Sequence, residues 1–302
     1  MILPDKGLQV ANLVPWTIMT RTRDDRSTDI HENEWGALRI GGWKSKWLSF
    51  CHGIPPLSSL RRVAMWLRKP MKILLQDWID VTVWGLRLRL LPKGNLSEQR
   101  ILFLPQFFDR AERLAIADSL ASGGVFIDIG ANIGAYSFWV ASLGSGIRIE
   151  AFEPDPELCE RMQFNLSTNG LNQVHIHPIA LGNHCGTGSL KRSSTNRGRT
   201  QVVDREDGCD QEIRIERLPD FLQRAGIDKI TALKIDVEGD EASVLEPLLV
   251  EEHRGVWPEL IICEIEKVCR TPDESAPWKM LDDVGYELQQ RTRLNGIFRL
   301  PA

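Results

Sequence analysis

The stretch Val125–Ser137, VFIDIGANIGAYS, decides how this 302-residue chain folds. Val125–Ile129 is short and apolar apart from Asp128, and reads as a buried strand with an acid near its carboxyl end. Gly130, Asn132 and Gly134 then turn the chain, and a helix is expected from about Ile133 to Leu143. Glycines let a backbone come close to a ligand, and the first turn of a helix presents free N–H groups to an anion. Strand, glycine turn and helix stand here in the order such a site requires. The turn departs from G-x-G-x-x-G, since Ala131 and Asn132 follow Gly130. That departure argues against a pyrophosphate and leaves room for a smaller anion, such as an amino-acid carboxylate.

Downstream, short apolar strands alternate with amphipathic helices. Ile147–Phe152 reads as a strand, Pro156–Asn169 as a helix and Val174–Ala180 as a strand. Within that helix Leu158, Met162 and Leu166 recur every four residues, the stripe of a core-facing side. The alternation resumes with strands at Ala232–Asp236 and Leu260–Ile265 around a helix at Asp240–Leu249. A helix near Trp278–Val284 and strands at Tyr286–Arg291 and Gly296–Leu300 close the chain. Upstream, Ile79–Trp84 and Leu86–Leu91 read as a hairpin about Gly85, and Phe108–Ser122 as a helix. Such alternation builds a mostly parallel sheet covered by helices on both faces.

Four acids fall at the carboxyl ends of these strands: Asp128, Glu153, Asp236 and Glu264. Independent helix caps would not all require the same sheet edge, so the four are expected to converge on one crevice. Glu153 follows the last loop glycine by 19 residues, the place of an acid that accepts hydrogen bonds from ribose hydroxyls. Asp155 is the better helix cap of the two. An interruption at Gly186–Arg217 carries the basic stretch Lys191–Arg199, KRSSTNRGR, and ends in a strand expected at Glu212–Arg217, after which Leu218-Pro219-Asp220 starts a short helix. The basic stretch reads equally as a solvated lid and as a contact for a phosphorylated, acidic or glycan-bearing partner.

Composition narrows the class. With 37 Lys and Arg against 41 Asp and Glu, the net charge is −4, which gives no overall pull toward nucleic acid. The six cysteines form no CxxC pair and no zinc spacing, so reduced thiols in a cytoplasmic protein are expected. MILPDKGLQV does not read as a secretion signal, and no apolar run suits a membrane span. Residues 1–78 form an N-terminal extension to a domain at 79–302. In the extension, 57–76 reads as a basic helix interrupted at Pro70. Docking of that helix through Leu60, Val63, Ala64 and Leu67 is preferred over membrane-surface contact. The tryptophans of residues 1–56 suggest packing on the domain, a second copy or a partner.

In combination these residues resemble the FkbM family of S-adenosylmethionine-dependent methyltransferases. The resemblance spans about residues 80–300. It rests on FIDIGANIG at Phe126–Gly134, FEPD at Phe152–Asp155, ALG at Ala180–Gly182, KIDVEGDE at Lys234–Glu241 and the strand ending in Glu264. It implies a class I methyltransferase (Rossmann-like) α/β fold, with seven strands and the last one antiparallel. S-adenosylmethionine is then the expected donor, leaving S-adenosylhomocysteine. The resemblance puts its methionine part at Asp128, Gly130, Ala131, Asn132 and Gly134. Its ribose falls at Glu153 beside Pro154, and its adenine near Ile179, Ala180 and Leu181. Asp236 falls near the methionine amino group or the transferred methyl, and Glu238 and Glu264 on the acceptor side. Glu112 matches a further family acid. The implied acceptor is a hydroxyl of a sugar or small metabolite, a small-molecule or glycan partner.

A hydroxyl acceptor needs its proton removed. No histidine lies in the motifs, so a carboxylate is expected as base, Asp236 first and Glu238 or Glu264 second. His175 and His177, two apart on one strand, are expected to be structural, and no metal ligand set is apparent. A non-catalytic cofactor-fold scaffold and an N-methyltransferase are the competing readings. The acidic-proline-proline-aromatic motif of many N-methyltransferases is absent.

Overall fold

The computed structural model describes residues 30–31, 33–57, 59–74, 78–93, 95–192, 200–203, 212–265 and 268–301. In chain order, helices α1 (Gly42–His52) and α2 (Arg61–Leu74) precede a hairpin of β1 (Ile79–Val83) and β2 (Leu86–Leu90). Trp84 and Gly85 both take positive φ, 53° and 79°, the two-residue turn whose twist matches an antiparallel pair. Helices α3 (Leu96–Phe103) and α4 (Arg110–Ser119) follow. The sequence reading placed one helix over Phe108–Ser122 and missed α3. Its signal was Asn95-x-x-Glu98: the Asn95 side chain accepts from the N–H groups of Ser97 and Glu98 and caps the helix.

The main sheet then begins with β3 (Gly124–Ile129), α5 (Ala135–Ala141), β4 (Ile147–Phe152), α6 (Pro156–Asn169) and β5 (Val174–His177). Asp155 caps α6 by accepting from Glu157 N–H, and Gly170 ends it at φ 63°. The strand expected to run to Ala180 stops at His177, because Pro178 has no N–H for the ladder. Ala180–Leu181 (β6) instead joins a second sheet with β7 (Gly186–Arg192), β8 (Thr200–Val203) and β9 (Glu212–Glu216), in the order β6-β9-β7-β8. The strand expected at Glu212–Arg217 is β9, and the interruption contains β7 and β8 as well. Residues 193–199 of its basic stretch lie outside the described residues.

The chain continues through α7 (Leu218–Ala225), β10 (Ala232–Ile235), α8 (Glu241–Leu245), β11 (Leu260–Glu264), α9 (Ala276–Asp283), β12 (Glu287–Arg291) and β13 (Asn295–Arg299). The seven-stranded sheet has the order β12-β13-β11-β10-β3-β4-β5. β13 is antiparallel to both neighbours, as expected, while β11-β10-β3-β4-β5 are parallel. Alternate residues feed two cores. Phe126, Ala232 and Ile262 face one, and Ile127, Leu233 and Ile261 the other. Strand order reverses between β3 and β10, and ligands of open α/β sheets bind at the carboxyl ends beside such a point.

The N-terminal segment is anchored by buried charge. Arg89, 1% exposed, donates to Asp80 and to the carbonyls of Ile30, Asn33 and Glu34, while Asp80 accepts from the N–H groups of Gly36 and Leu38. Leu48, Cys51 and Ala64 join the same apolar cluster as Leu102 and Phe103. Two expectations for 57–76 change. α2 is continuous through Pro70, and Val63 is exposed whereas Ala64 is fully buried. Among the described residues no helix is long and apolar enough to cross a membrane.

Candidate active site

A cleft of about 1990 Å³ opens at the carboxyl ends of β3, β4, β10 and β11. Its wall includes Asp128, Glu153, Asp236 and Glu264, so the four strand-end acids do share one crevice. Their environments differ, and so do the tasks open to them.

Asp128 braces the loop. It is buried, and one carboxylate oxygen accepts from both the N–H and the hydroxyl of Ser137, at 3.1 and 2.6 Å, in the first turn of α5. Burial holds its carboxyl above the ordinary range. The glycines do more internal work than ligand approach. A Cβ on Gly130, at φ 72°, would fall 2.0 Å from the carbonyl oxygen of Asp236. One on Gly134, at φ 77°, would press on Phe138 and Met162. Gly134 is therefore held by packing at the start of α5. Ala131 and Asn132 line the cleft, with Asn132 at φ 56°.

Glu153 is 5% exposed and accepts from Asn132 N–H at 2.8 Å and Asp155 N–H at 2.9 Å, one on each oxygen. Burial pushes its pKa up to about 7, against those two hydrogen bonds. Each oxygen keeps a lone pair, enough to receive two further hydroxyl donors. Pro154, Leu158, Ile179, Ala180 and Leu181 form the adjoining, largely apolar wall.

The other half of the cleft is built on β10 and β11. Ile235 is level with Cys263 in the ladder, so the next residues, Asp236 and Glu264, emerge side by side. Lys234 was passed over in the sequence reading, although its position was legible. It lies two residues before Asp236, on the same face of the strand, and is in register with Asp128. It is 3% exposed, and its Nζ stands 3.0 Å from Asp236 Oδ2 and 5.4 Å from the centre of the Tyr136 ring. Burial opposes its charge, but Asp236 and Asp128 outweigh burial and hold its pKa above the usual value. Burial likewise opposes the charge on Asp236, and Lys234 reverses this, so Asp236 titrates below the ordinary range. Glu264 is raised to about 8 by burial, then by the neighbouring Asp236 charge. At neutral pH the pair therefore carries one proton, held mainly on Glu264 and donated to Asp236.

Glu238 lines the cleft at φ 60°, in the turn after β10. Glu241 comes close to the pair: Asp236, Glu241 and Glu264 each bring a carboxylate oxygen within 4.8 Å of the others. A divalent cation fits such a grouping poorly here. Lys234 already supplies the counter-charge, and Glu241 Oε1 accepts from the N–H groups of Val237 and Gly239 at 3.0 and 3.2 Å. Glu112 is buried and bound to Thr292 Oγ1 at 2.6 Å and Asn295 Nδ2 at 3.0 Å, which ties α4 to the β12–β13 turn. His175 and His177 both pair with buried Glu150, at 3.4 and 2.5 Å, and His177 stacks on Phe152.

The wall facing Asp236 comes from elements whose role had no sequence signal: Asn95, Arg100 and Asp109 around α3 and α4, with Thr292, Arg293 and Asn295 from the β12–β13 turn. Tyr136 also lines the cleft, and its buried hydroxyl has no hydrogen-bond partner. A buried phenol costs stability unless something satisfies it, and a polar group of a ligand reaching this oxygen would do so. Together these features fit an adenosyl sulfonium amino acid. Glu153 offers acceptors for a ribose, the apolar wall suits an aromatic base, and the loop and Tyr136 offer polar contacts for an amino acid.

The sequence signature of the Methyltransferase FkbM domain matches residues 128–288, more than half the chain. Methyltransferase sdnD of Sordaria araneosa is 26% identical over 222 residues, covering 63% of this chain and 83% of its own. The 31-O-demethyl-FK506 methyltransferase FkbM of Streptomyces tacrolimicus is 27% identical over 205 residues, 58% of this chain and 77% of its own. Among solved structures, the methyltransferase FkbM of Methylobacillus flagellatus overlays with a TM-score of 0.39 at 18% identity, over 67% of this chain and 54% of that one.

Proposed function

The chain belongs to the FkbM methyltransferase family, and we propose that it methylates a hydroxyl oxygen of a sugar or small metabolite with S-adenosylmethionine as donor. The observation that carries this reading is the Asp236–Glu264 pair, two carboxylates side by side at the strand ends beside a buried ammonium. The donor supplies an electrophilic methyl on a sulfonium. The protein's part is to align the acceptor, exclude water and take up a proton.

Glu153 holds the ribose hydroxyls, Ile179–Leu181 flank the adenine, and the loop from Gly130 to Asn132 with Tyr136 receives the amino-acid end. The Asp236–Glu264 pair receives the acceptor's proton. A base works best with a pKa near the operating pH, and the value of about 8 at Glu264 meets that condition better than the depressed carboxyl of Asp236. Asp236 keeps the pair in this range: its charge raises Glu264, and Lys234 keeps that charge in place. Glu238 stands on the acceptor side with the wall from α3, α4 and the β12–β13 turn.

Oxygen as the acceptor atom is supported by the relative from Streptomyces tacrolimicus, whose name describes methylation of 31-O-demethyl-FK506. The test is a panel of polyhydroxylated acceptors with donor labelled in the methyl group, run with wild type and Glu264→Gln. Label in an ether product, lost in the variant while S-adenosylhomocysteine still binds, supports the reading. Label on nitrogen, or equal turnover by the variant, overturns it.

A further inference from the structure

We propose that the paired helices α1 and α2 form a docking surface for an anionic lipid bilayer. Residues 35–76 carry eight Lys and Arg and no Asp or Glu, in a chain whose net charge is −4. The segment is folded onto the domain rather than loose. Leu48, Cys51 and Ala64 are buried in the main core, and the Trp47 indole N–H donates to Leu67 O at 3.2 Å across the two helices. Ala64 and Leu67 thus use up the docking side of α2.

The sides left over are apolar and aromatic, with basic residues among them. On α1, Trp43, Lys46 and Phe50 are spaced i, i+3 and i+7, so they form one exposed stripe. Trp43 is 60% exposed and Phe50 59%. On α2, Val63 and Trp66 lie i, i+3 on the flank next to Leu67, and Trp66 is 71% exposed. The two stripes adjoin, because the Trp47 ring touches both sides: it sits 6.3 Å from Phe50 while bonded to Leu67. Lys69 Nζ stands 5.9 Å over the Trp66 ring.

An exposed apolar stripe of this kind marks an interaction site. Its chemistry selects the partner. Tryptophan settles at the level of lipid headgroups, exposed apolar side chains enter the acyl boundary, and Lys and Arg reach anionic headgroups on flexible stems. A second copy of this chain would set this basic surface against itself, with no acid within it to compensate. Pro56 and Met65, from the same segment, also line the cleft.

The test is co-sedimentation of the full chain with vesicles of phosphatidylcholine alone and of phosphatidylcholine with phosphatidylserine, at low and high salt. Binding to the anionic vesicles only, weakened by salt, with a blue shift of tryptophan emission, is the expected result. Each of Lys46→Gln and Lys69→Gln should lower the partition coefficient about fivefold. Phe50→Ser with Trp66→Ser should abolish the shift while circular dichroism stays unchanged. Equal binding to both vesicles, indifference to these substitutions, or no binding overturns the proposal. So does a concentration-dependent dimer that buries Trp66 and leaves the vesicles bare. None of these outcomes depends on what the methyl acceptor is.

Discussion

Lys234 Nζ stands 3.0 Å from Asp236 Oδ2 at the carboxyl end of β10, with the lysine almost wholly buried and the carboxylate half open to the cleft. Two residues apart on one strand, they set the charge of the whole acceptor side. The ammonium holds Asp236 ionised, and the ionised Asp236 holds a proton on Glu264.

Methyl transfer should therefore rise with pH along a limb with its midpoint near 8, because the form of the pair that takes a proton is the deprotonated one. Glu264→Gln keeps a donor to Asp236 but cannot ionise. A pH–rate profile should lose this limb, with kcat down by about 10²–10⁴-fold. Asp236→Asn removes the charge that raises Glu264 and should move the limb to lower pH. An unmoved limb in both variants would place the base elsewhere.

Lys234→Met leaves two carboxylates, Asp128 and Asp236, without their buried counter-ion. Removing one partner of a buried pair costs about 3–5 kcal/mol. Urea unfolding should show a loss of that order at pH 7. The double variant Lys234→Met with Asp236→Asn should lose less than the two single losses added together.

Glu153 should make donor-site affinity pH-dependent. Its pKa of about 7 in the free protein means that it takes on a proton as pH falls below neutrality, and a protonated carboxyl accepts hydroxyl donors less well. Calorimetric titration with S-adenosylhomocysteine should show affinity falling below pH 7. Glu153→Gln should bind more weakly, by about 1–3 kcal/mol, with a flatter pH dependence.

The anchor of the N-terminal segment is also weakened by acid, but only at much lower pH, because its carboxyl is shifted down rather than up. Burial opposes the charge on Asp80, but Arg89 and two backbone N–H groups depress its pKa below the ordinary 3.8. Its contribution is therefore present above the unfolded-state pKa and lost as pH falls through the folded value. Asp80→Asn leaves Arg89 buried and unpaired, at a cost of about 3–5 kcal/mol. Limited proteolysis should then cut between residues 30 and 54 well before the wild type is cut there.

Gly130→Ala should fail for a steric reason independent of any ligand. The new Cβ meets the Asp236 carbonyl at 2.0 Å in a backbone at φ 72°, where β3 and β10 come together. Expression and thermal unfolding should show a loss well above the 1–3 kcal/mol of an ordinary strained backbone position.

The regular α/β half of the molecule was legible because its signals are local. Ile147–Phe152 and Pro156–Asn169 follow the expected bounds residue for residue, since a strand of apolar residues and a helix flanked by Asp155 and Gly170 state their own ends. The Trp84–Gly85 turn was legible for the same reason. Helix α3 is absent from the sequence reading although Asn95 and Glu98 announce it, and of the second sheet only β9 is legible, since Glu212–Glu216 alternates apolar and polar residues while β7 and β8 run through polar sequence.

For the site, the sequence by itself determined which acids stand at strand ends, because period and turn chemistry are properties of neighbours along the chain. It also determined the family. Only the tertiary structure decided what each acid does. Asp128 Oδ2 is bonded to Ser137, Gly134 packs against Phe138 and Met162, and Glu112 is bonded to Thr292 and Asn295. Glu264 is raised by Asp236 only because β11 lies beside β10 in a register that sets the two carboxylates side by side. Protonation depends on burial and on charges a few ångströms away, and those distances exist only once strands far apart in sequence have been brought side by side.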